Sequence, residues 1–542
     1  MRVLPFPSGT SILNPPELKS PGWIYRSLSV SPLINCAGVR TNYGASNPAD
    51  DVINAMNAAA EAFVDLDELA EAVGSRLASL TGAEWGIVTS GTAGGLALAT
   101  AACLAGNDPE RMLRLPDADG VPNRVLLISD QRIPYDQAVR LAGGKPLIVS
   151  TVGEAARAIE SGEVALIVLL GRKARGGSAI SLRSLVPLAR QAQVPILVDA
   201  AGLRPGNPDP WLSNGADLVA YSAGKYLRGP QSTGLLLGSK ALCSAAWFNG
   251  PPHQGACRPL KVGKEEIVGA VAALERWLAD GFEEREGKAW RHRLDLMLDS
   301  IGSIPFLSAT FLLPSDSVTA LRVRLSWDAN RLGVNAQTLI EALLSRSPRI
   351  LIHDFWATNN SIVVDPFNLT EEEAVIVGKA IRSELLSPRS APNPPQARTL
   401  YERTGSWLLK IKYPRYFSEQ SLELVQHGHA VQATHRTMLS VGHASGQMIG
   451  DSLTLQARHE ASPMAIYYTF EGNLLSRDGE GIVRLGAASN ENDGPVFRQQ
   501  FGTATWSARR VETTKEGELE QSKIREAMVA DGTSTVGVQF DD

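Results

Sequence analysis

Three short segments hold residue types that could do chemistry together. In "TSGTAGGLALATAACL" a tight turn, Ser90-Gly91-Thr92, runs directly into a long apolar helical pattern. Backbone N–H groups at a helix N-terminus, with hydroxyls beside them, suit an anionic phosphate. In "VPILVDAAG" an acid, Asp199, ends an otherwise apolar run. A buried carboxylate requires a cationic partner, and a protonated ring nitrogen would serve. In "DLVAYSAGKYLRGPQSTGLLLGS" one lysine, Lys225, stands between two strand-like runs. A lysine held away from water is a better amine nucleophile and base, because burial lowers the cost of its neutral form. Each segment also has a plain structural reading: a helix cap, a capping acid, and a lysine whose stem lines a sheet while its head reaches water.

One cofactor would use all three. Pyridoxal phosphate needs a phosphate site, an anion at its pyridine nitrogen and a lysine for a Schiff base. The elements around the segments are of a kind that could hold them. From 123 to 239 short apolar runs ("RVLLIS", "KPLIVS", "VALIVLL", "VPILVDAA", "DLVAYSAG", "TGLLLGS") alternate with helical stretches such as "SLRSLVPLARQAQ". Runs that are apolar throughout suit strands buried on both faces, so the spacing predicts an α/β sheet covered by helices. Leu66, Leu69, Val73, Leu77 and Leu80 fall on one helical stripe that Gly82 would cap.

The rest of the chain divides by composition. At 542 residues it predicts about three or four domains. We expect an N-terminal arm (1–30), a large α/β domain (31–262), a small α+β domain (263–386), a proline-rich linker (387–399), a β domain (400–511) and a polar tail (512–542). Within the small domain, 264–300 reads as one long helical segment, and Thr370 with Glu373 forms a capping box. Residues 400–511 switch to two-residue alternation, as in "WLLKIKY" and "TATWSARR", expected of an antiparallel sandwich or barrel.

Composition also excludes some classes. A net charge of −5 argues against a dedicated nucleic-acid binder. No apolar run approaches the roughly 20 residues of a membrane span, and the proline-broken N-terminus carries no secretory pattern. Cys36, Cys103, Cys243 and Cys257 have neither zinc nor redox spacing. The histidines of the β domain match no metal motif, so no metal site is expected. A reduced, cytoplasmic protein is the expectation.

Taken in order, "INCAGVRTNYG", "DLDELAEAVGSRLASLTGAEWGIVTSGTAGGLAL", "PYDQAVRLAGGK", "VDAAG", "GADLVAYSAGKYLRGPQSTGLLLG" and "GPPHQGACRPLKVGKEEIVG" resemble the selenium-transferase-like branch of the fold-type-I pyridoxal phosphate enzymes. Within it they are most similar to the D-glucosaminate-6-phosphate ammonia-lyase-like proteins. The resemblance spans about 31–385, and 400–511 resembles the β domain often appended to such proteins.

The resemblance implies a mostly parallel sheet covered by helices and an active site at a homodimer interface. By it, Lys225 would form the Schiff base and Asp199 would pair with the pyridine nitrogen. Ser90, Gly91, Thr92 and Ser222 would hold the phosphate, and Gln231 would lie near the neighbouring subunit's cofactor. Gln131 stands where relatives often carry a histidine over the cofactor ring, and "SAGK" replaces the commoner "SGGK". Thr41, Asn42, Tyr135, Arg175, His253, Arg258 and Lys261 become candidates for substrate contacts, the arginines suiting a carboxylate or phosphate. The implied activity is a lyase of the ammonia-lyase or dehydratase type that, by Cα deprotonation and β-elimination, releases ammonia from a hydroxylated amino acid, D-configured or sugar-derived ones included, to give a 2-keto acid. Racemisation, aldol cleavage, β-replacement and a scaffold without turnover remain the alternatives.

Overall fold

A computed structural model describes residues 22–174, 177–315, 319–387, 402–461, 463–489 and 500–511. Residues 1–21, Arg175, the linker beyond Ser387 and the 512–542 tail lie outside the described residues. The chain divides into two compact units, Met1–Arg389 and Ser390–Asp542.

In the first unit, a strand β1 (Leu33–Cys36) precedes β2 (Trp85–Thr89), β3 (Arg124–Ile128), β4 (Lys145–Val149), β5 (Val164–Leu170), β6 (Ile196–Asp199), β7 (Leu218–Ser222) and β8 (Gly234–Gly238). Strands β2 to β8 form one sheet in the order β2-β8-β7-β6-β5-β3-β4, with only β8 antiparallel to its neighbours. Successive side chains point to opposite faces, and both faces are apolar. Leu126, Ile128, Ile167 and Val198 pack into one core, Val125, Leu127, Leu166 and Leu197 into the other. The Leu66–Thr81 helix ends as its sequence indicates, at Gly82 with φ +73°.

This topology puts four chain segments of interest at one edge. Ser90 follows β2, Gln131 follows β3, Asp199 ends β6 and Lys225 follows β7. Ligands of open α/β sheets bind in the crevice beyond the carboxyl ends of the strands.

A second sheet adds β9 (Leu307–Leu312), β10 (Arg322–Trp327), β11 (Arg349–Thr358) and β12 (Ser361–Val364), in the order β1-β11-β12-β10-β9. Strand β1 lies in the span expected to build the large domain, yet it pairs in parallel with β11, Leu33 opposite Arg349. The expected long helix over 264–300 is two helices, Lys264–Leu278 and Phe282–Ile301. Gly281, at φ +67°, supplies the left-handed residue that parts them. Among the described residues no helix is long and apolar enough to cross a membrane.

The second unit is a closed antiparallel barrel: β13 (Gly405–Lys412), β14 (Phe417–His427), β15 (Ala430–Arg436), β16 (Val441–Ile449), β17 (Ser452–Ala461), β18 (Met464–Leu474), β19 (Asp478–Ser489) and β20 (Thr503–Arg510). Each strand pairs with the next, and β20 pairs with β13 to close the ring. Trp407, Leu409, Ile411, Leu422, Phe470, Val483 and Trp506 fill it. Barrel closure decides between the two expected β architectures by leaving no free edge.

Candidate active site

At the start of the Gly91–Ala105 helix, Ser90 occupies the cap position without making a side-chain cap bond. Its Oγ and the Oγ1 of Thr92 are both buried and have no hydrogen-bond partner. Two buried hydroxyls left in that state are costly unless a ligand completes them. The turn is built tightly. Gly91 has φ +69°, and Thr89 Oγ1 donates to its carbonyl at 2.8 Å. Gly234 of β8 lies so close that a Cβ there would sit 2.5 Å from the Gly91 carbonyl carbon. Free backbone N–H groups, two unpartnered hydroxyls and the positive end of a 15-residue helix fit a phosphate group.

Asp199 is only 5% exposed, and one carboxylate oxygen accepts from the Ala201 N–H at 3.0 Å. Burial pushes its carboxyl above the ordinary range. The Ala201 bond and the charges of Lys225 and Arg172 oppose that rise, while Asp136 adds to it. Burial pushes Lys225 the other way, below the usual lysine range, with Asp199 resisting and Arg172 reinforcing. An acid and an amine thus lie within reach of each other's charge at a poorly hydrated sheet edge, and a cationic ring nitrogen would give Asp199 the partner that burial demands. The loop bearing the lysine is fixed by its backbone. The Ser46 hydroxyl reaches both the Gly224 carbonyl at 2.9 Å and the Lys225 carbonyl at 2.8 Å. Gly224 packs against Gln231, where a Cβ would meet Cα at 2.5 Å.

Beside Asp199 a cavity is lined by Gln131, Arg132, Tyr135, Asp136 and apolar residues of β3 and β5. Gln131 is buried, and its amide is committed. Nε2 donates to the Ile180 carbonyl at 2.8 Å, and Oε1 accepts from the Leu170 N–H at 3.0 Å. The residue therefore ties the ends of β3 and β5 together while its flank faces the cavity. Asp136, within the "PYD" text, pairs with Arg132 at 2.8 Å.

The other sequence candidates separate. Ser222 ends β7, half-buried, opposite Gly234. Thr41 and Asn42 lie on an exposed helical turn, where the Thr41 carbonyl accepts from Gln231 Nε2 at 3.1 Å. Arg258 and Lys261 line a different, largely apolar cavity that reaches Thr89. His253 is not brought to Asp199. Its ring faces the Trp247 carbonyl at 3.3 Å and Asp67 at 3.2 Å, and it packs against Phe248. Sequence reasoning missed Ser46 as a holder of the lysine loop, since a serine in "NYGASNP" carries no motif. Asp136 was in view but unassigned.

The fold is that of the fold-type-I pyridoxal phosphate enzymes, and the unpartnered hydroxyls, the buried acid and the lysine at this sheet edge fit that cofactor. No family model matches the chain. It is 34% identical over 379 residues to the 5'-C-glycyluridine monooxygenase-decarboxylase of a Streptomyces species, a match spanning 68% of this chain and 93% of that one. It is 30% identical over 368 residues to the D-glucosaminate-6-phosphate ammonia lyase of Salmonella typhimurium, spanning 66% and 97%. A solved structure of D-glucosaminate-6-phosphate ammonia-lyase aligns with a TM-score of 0.59 at 28% identity, covering 67% of this chain and 98% of that one. The chain belongs to the enzyme family that contains these two relatives.

Proposed function

We propose that this protein is a pyridoxal phosphate-dependent lyase acting on a hydroxylated amino acid. The net reaction removes the amino nitrogen as ammonia and converts the β-hydroxy amino acid to a 2-keto acid. The cofactor, when bound, supplies an electron sink for the charge left at Cα. The chain's own residues do the remainder. Ser90, Gly91, Thr92 and Ser222 hold the phosphate, and Asp199 keeps the ring nitrogen protonated. Lys225 carries the cofactor, and its Nζ takes the Cα proton, a task favoured by its lowered pKa. Gln131 and Tyr135 flank the ring. Among the substrate candidates, Arg258 and Lys261 offer cationic groups for a carboxylate or phosphate. Gln231 and Thr41, exposed and joined to each other, are offered to a second copy in a homodimer.

The observation that carries this reading is the placing of buried Asp199 and half-buried Lys225 at the same sheet edge as the two unpartnered hydroxyls, in a chain whose alignment covers 98% of a solved ammonia-lyase structure. The test is incubation of purified holoenzyme with a panel of β-hydroxy and sugar-derived amino acids of both configurations. Release of 2-keto acid with equimolar ammonia is expected. Lys225→Ala should lose the yellow absorbance that borohydride fixes and cut turnover on the order of 1000-fold. Absence of keto acid across the panel, with a control lyase responding, would sink the proposal.

A second reading rests on the 34% identity to the monooxygenase-decarboxylase. In that reading the substrate amino acid is decarboxylated while dioxygen is consumed. An oxygen electrode and carbon dioxide trapping separate the two: the lyase releases ammonia under nitrogen and no carbon dioxide, whereas the oxygenase releases carbon dioxide and consumes dioxygen only in air.

A further inference from the structure

We propose that Tyr226, Arg322 and Asp365 form a clamp by which the second sheet sets the position of Lys225. The inference rests on the reading of Lys225 as the cofactor's lysine. Tyr226 is the next residue in the chain, so whatever fixes its side chain fixes the backbone that carries Lys225. It is 7% exposed and packs edge-on against Phe367, ring centroids 5.0 Å apart. Its hydroxyl accepts from Arg322 Nη2 at 3.1 Å. Arg322 Nε in turn donates to Asp365 Oδ2 at 2.7 Å, and the guanidinium lies 3.9 Å from the centre of the Trp356 ring.

Asp365 is fully buried, and its other oxygen accepts from the Phe367 N–H at 3.0 Å. The approach of the chain to this carboxylate is possible only because residue 38 is glycine. At Gly38, φ is +71° and a Cβ would stand 2.6 Å from Asp365 Oδ2. Arg322 comes from β10 and Asp365 follows β12, both in the second sheet, whereas Lys225 follows β7 of the first. The clamp is therefore a link between sheets that meets the chain one residue from the reactive amine.

The lysine is held from its other side as well. Ser46 bonds the carbonyls of Gly224 and Lys225, which leaves the side chain as the free part of the residue, directed by backbone fixed before and after it. The charges that act on Lys225 are Asp199 and Arg172; those around Tyr226 are Asp365, Arg322 and Arg204. The clamp thus acts through position, and Tyr226 and Arg322 are positioning residues. A buried ion pair alone would need only Arg322 and Asp365, and the third partner adjoining the lysine is the feature that points to this role. Bidentate use of one guanidinium by a carboxylate and a phenol is also something a lysine ammonium on a flexible stem cannot reproduce.

The test compares Tyr226→Phe and Arg322→Lys with wild-type holoenzyme. Three quantities are read: the pH midpoint of the cofactor's absorbance, kcat against KM on the substrate found above, and the thermal midpoint. In Tyr226→Phe the absorbance midpoint should rise by about one pH unit, since a loosely held Nζ gains water and its charged form costs less. The same variant should lose about tenfold in kcat with KM changed less than about twofold, as expected for misplacement without lost binding. Arg322→Lys should show the same pattern. A variant that lowers only the thermal midpoint, with the pH midpoint and kcat at wild-type values, overturns the clamp; if Tyr226→Phe does not fold, Arg322→Lys decides by the same criterion. Lys225→Ala tells the two claims apart. Retention of the borohydride-fixed absorbance there defeats the assignment of Lys225, whereas its loss beside an unaffected Tyr226→Phe defeats the clamp alone.

Discussion

Ser90 and Thr92 hold the most direct residue-level evidence for a ligand, because their buried hydroxyls lack partners. Replacing them should therefore act oppositely on the loaded and empty protein. Ser90→Ala and Thr92→Val each remove a hydrogen bond to a charged group, worth about 1.5–3 kcal/mol, so the cofactor's Kd should rise by at least about tenfold. Without cofactor the same changes remove an unsatisfied buried group, and the thermal midpoint should stay level or rise. Titration of the apo protein with pyridoxal phosphate and paired melts check both; a destabilised apo protein with unchanged Kd would refute the assignment. Gln131 illustrates the limit of reading residue types. Its substitution for a ring-covering histidine is visible in the sequence, but the commitment of both ends of its amide to backbone groups is not.

Among the elements, the strands of the first sheet were legible because burial on both faces leaves uninterrupted apolar runs. Strands β15 and β16 were not, since "AVQATHR" and "VGHASGQMI" turn alanine, glycine and histidine toward the interior. The reason lies in a side-chain chain across the barrel. His435 Nε2 faces Gln420 Oε1 at 2.8 Å, His435 Nδ1 faces His459 Nε2 at 2.8 Å, and His459 Nδ1 faces Ser440 Oγ at 2.8 Å. The Gln420 oxygen only accepts, so both rings are satisfied as neutral Nε2–H tautomers. Gly442 makes the room: a Cβ there would lie 2.6 Å from the His459 ring. Burial, with His459 adding to it, pushes His435 from 6.5 down to about 3, and burial lowers His459 as well. The unfolded chain binds a proton near the ordinary histidine value while the folded barrel does not. Barrel stability is therefore full above that value and falls as pH drops toward 3, by on the order of 1 kcal/mol per pH unit from His435, with His459 adding to the loss in the same direction. Denaturant melts of barrel fluorescence between pH 7 and 4 should show this slope, flattened in His435→Gln; a pH-independent midpoint would contradict it.

At the scale of the whole molecule, each of the two units has an apolar core of its own. We expect calorimetry to resolve two transitions. The residues proposed to hold the cofactor all belong to the first unit, so excess pyridoxal phosphate should raise that unit's transition by mass action, by about 2–3 kcal/mol at 100 times Kd. The acid-sensitive transition of the barrel should stay where it is. A single transition moved as one by cofactor would argue against this independence.

The sequence by itself determined the α/β class, and it was enough to single out Lys225 and Asp199 as the residues on which the proposed cofactor site rests. These depend on local features, namely continuous apolar runs, a glycine turn entering a helix, and charged residues at the ends of strands, which any window of the chain displays. Only the tertiary structure decided that β1 belongs to the second sheet, that the β unit closes into a barrel, and that His253 lies away from the acid–amine pair. It also decided what surrounds the lysine. Tyr226 and Arg322 are 96 positions apart and Arg322 and Asp365 are 43 apart, and their bonds arise from burial that long-range packing creates. No local pattern encodes such a contact, because its energy depends on water being excluded by residues from two different sheets.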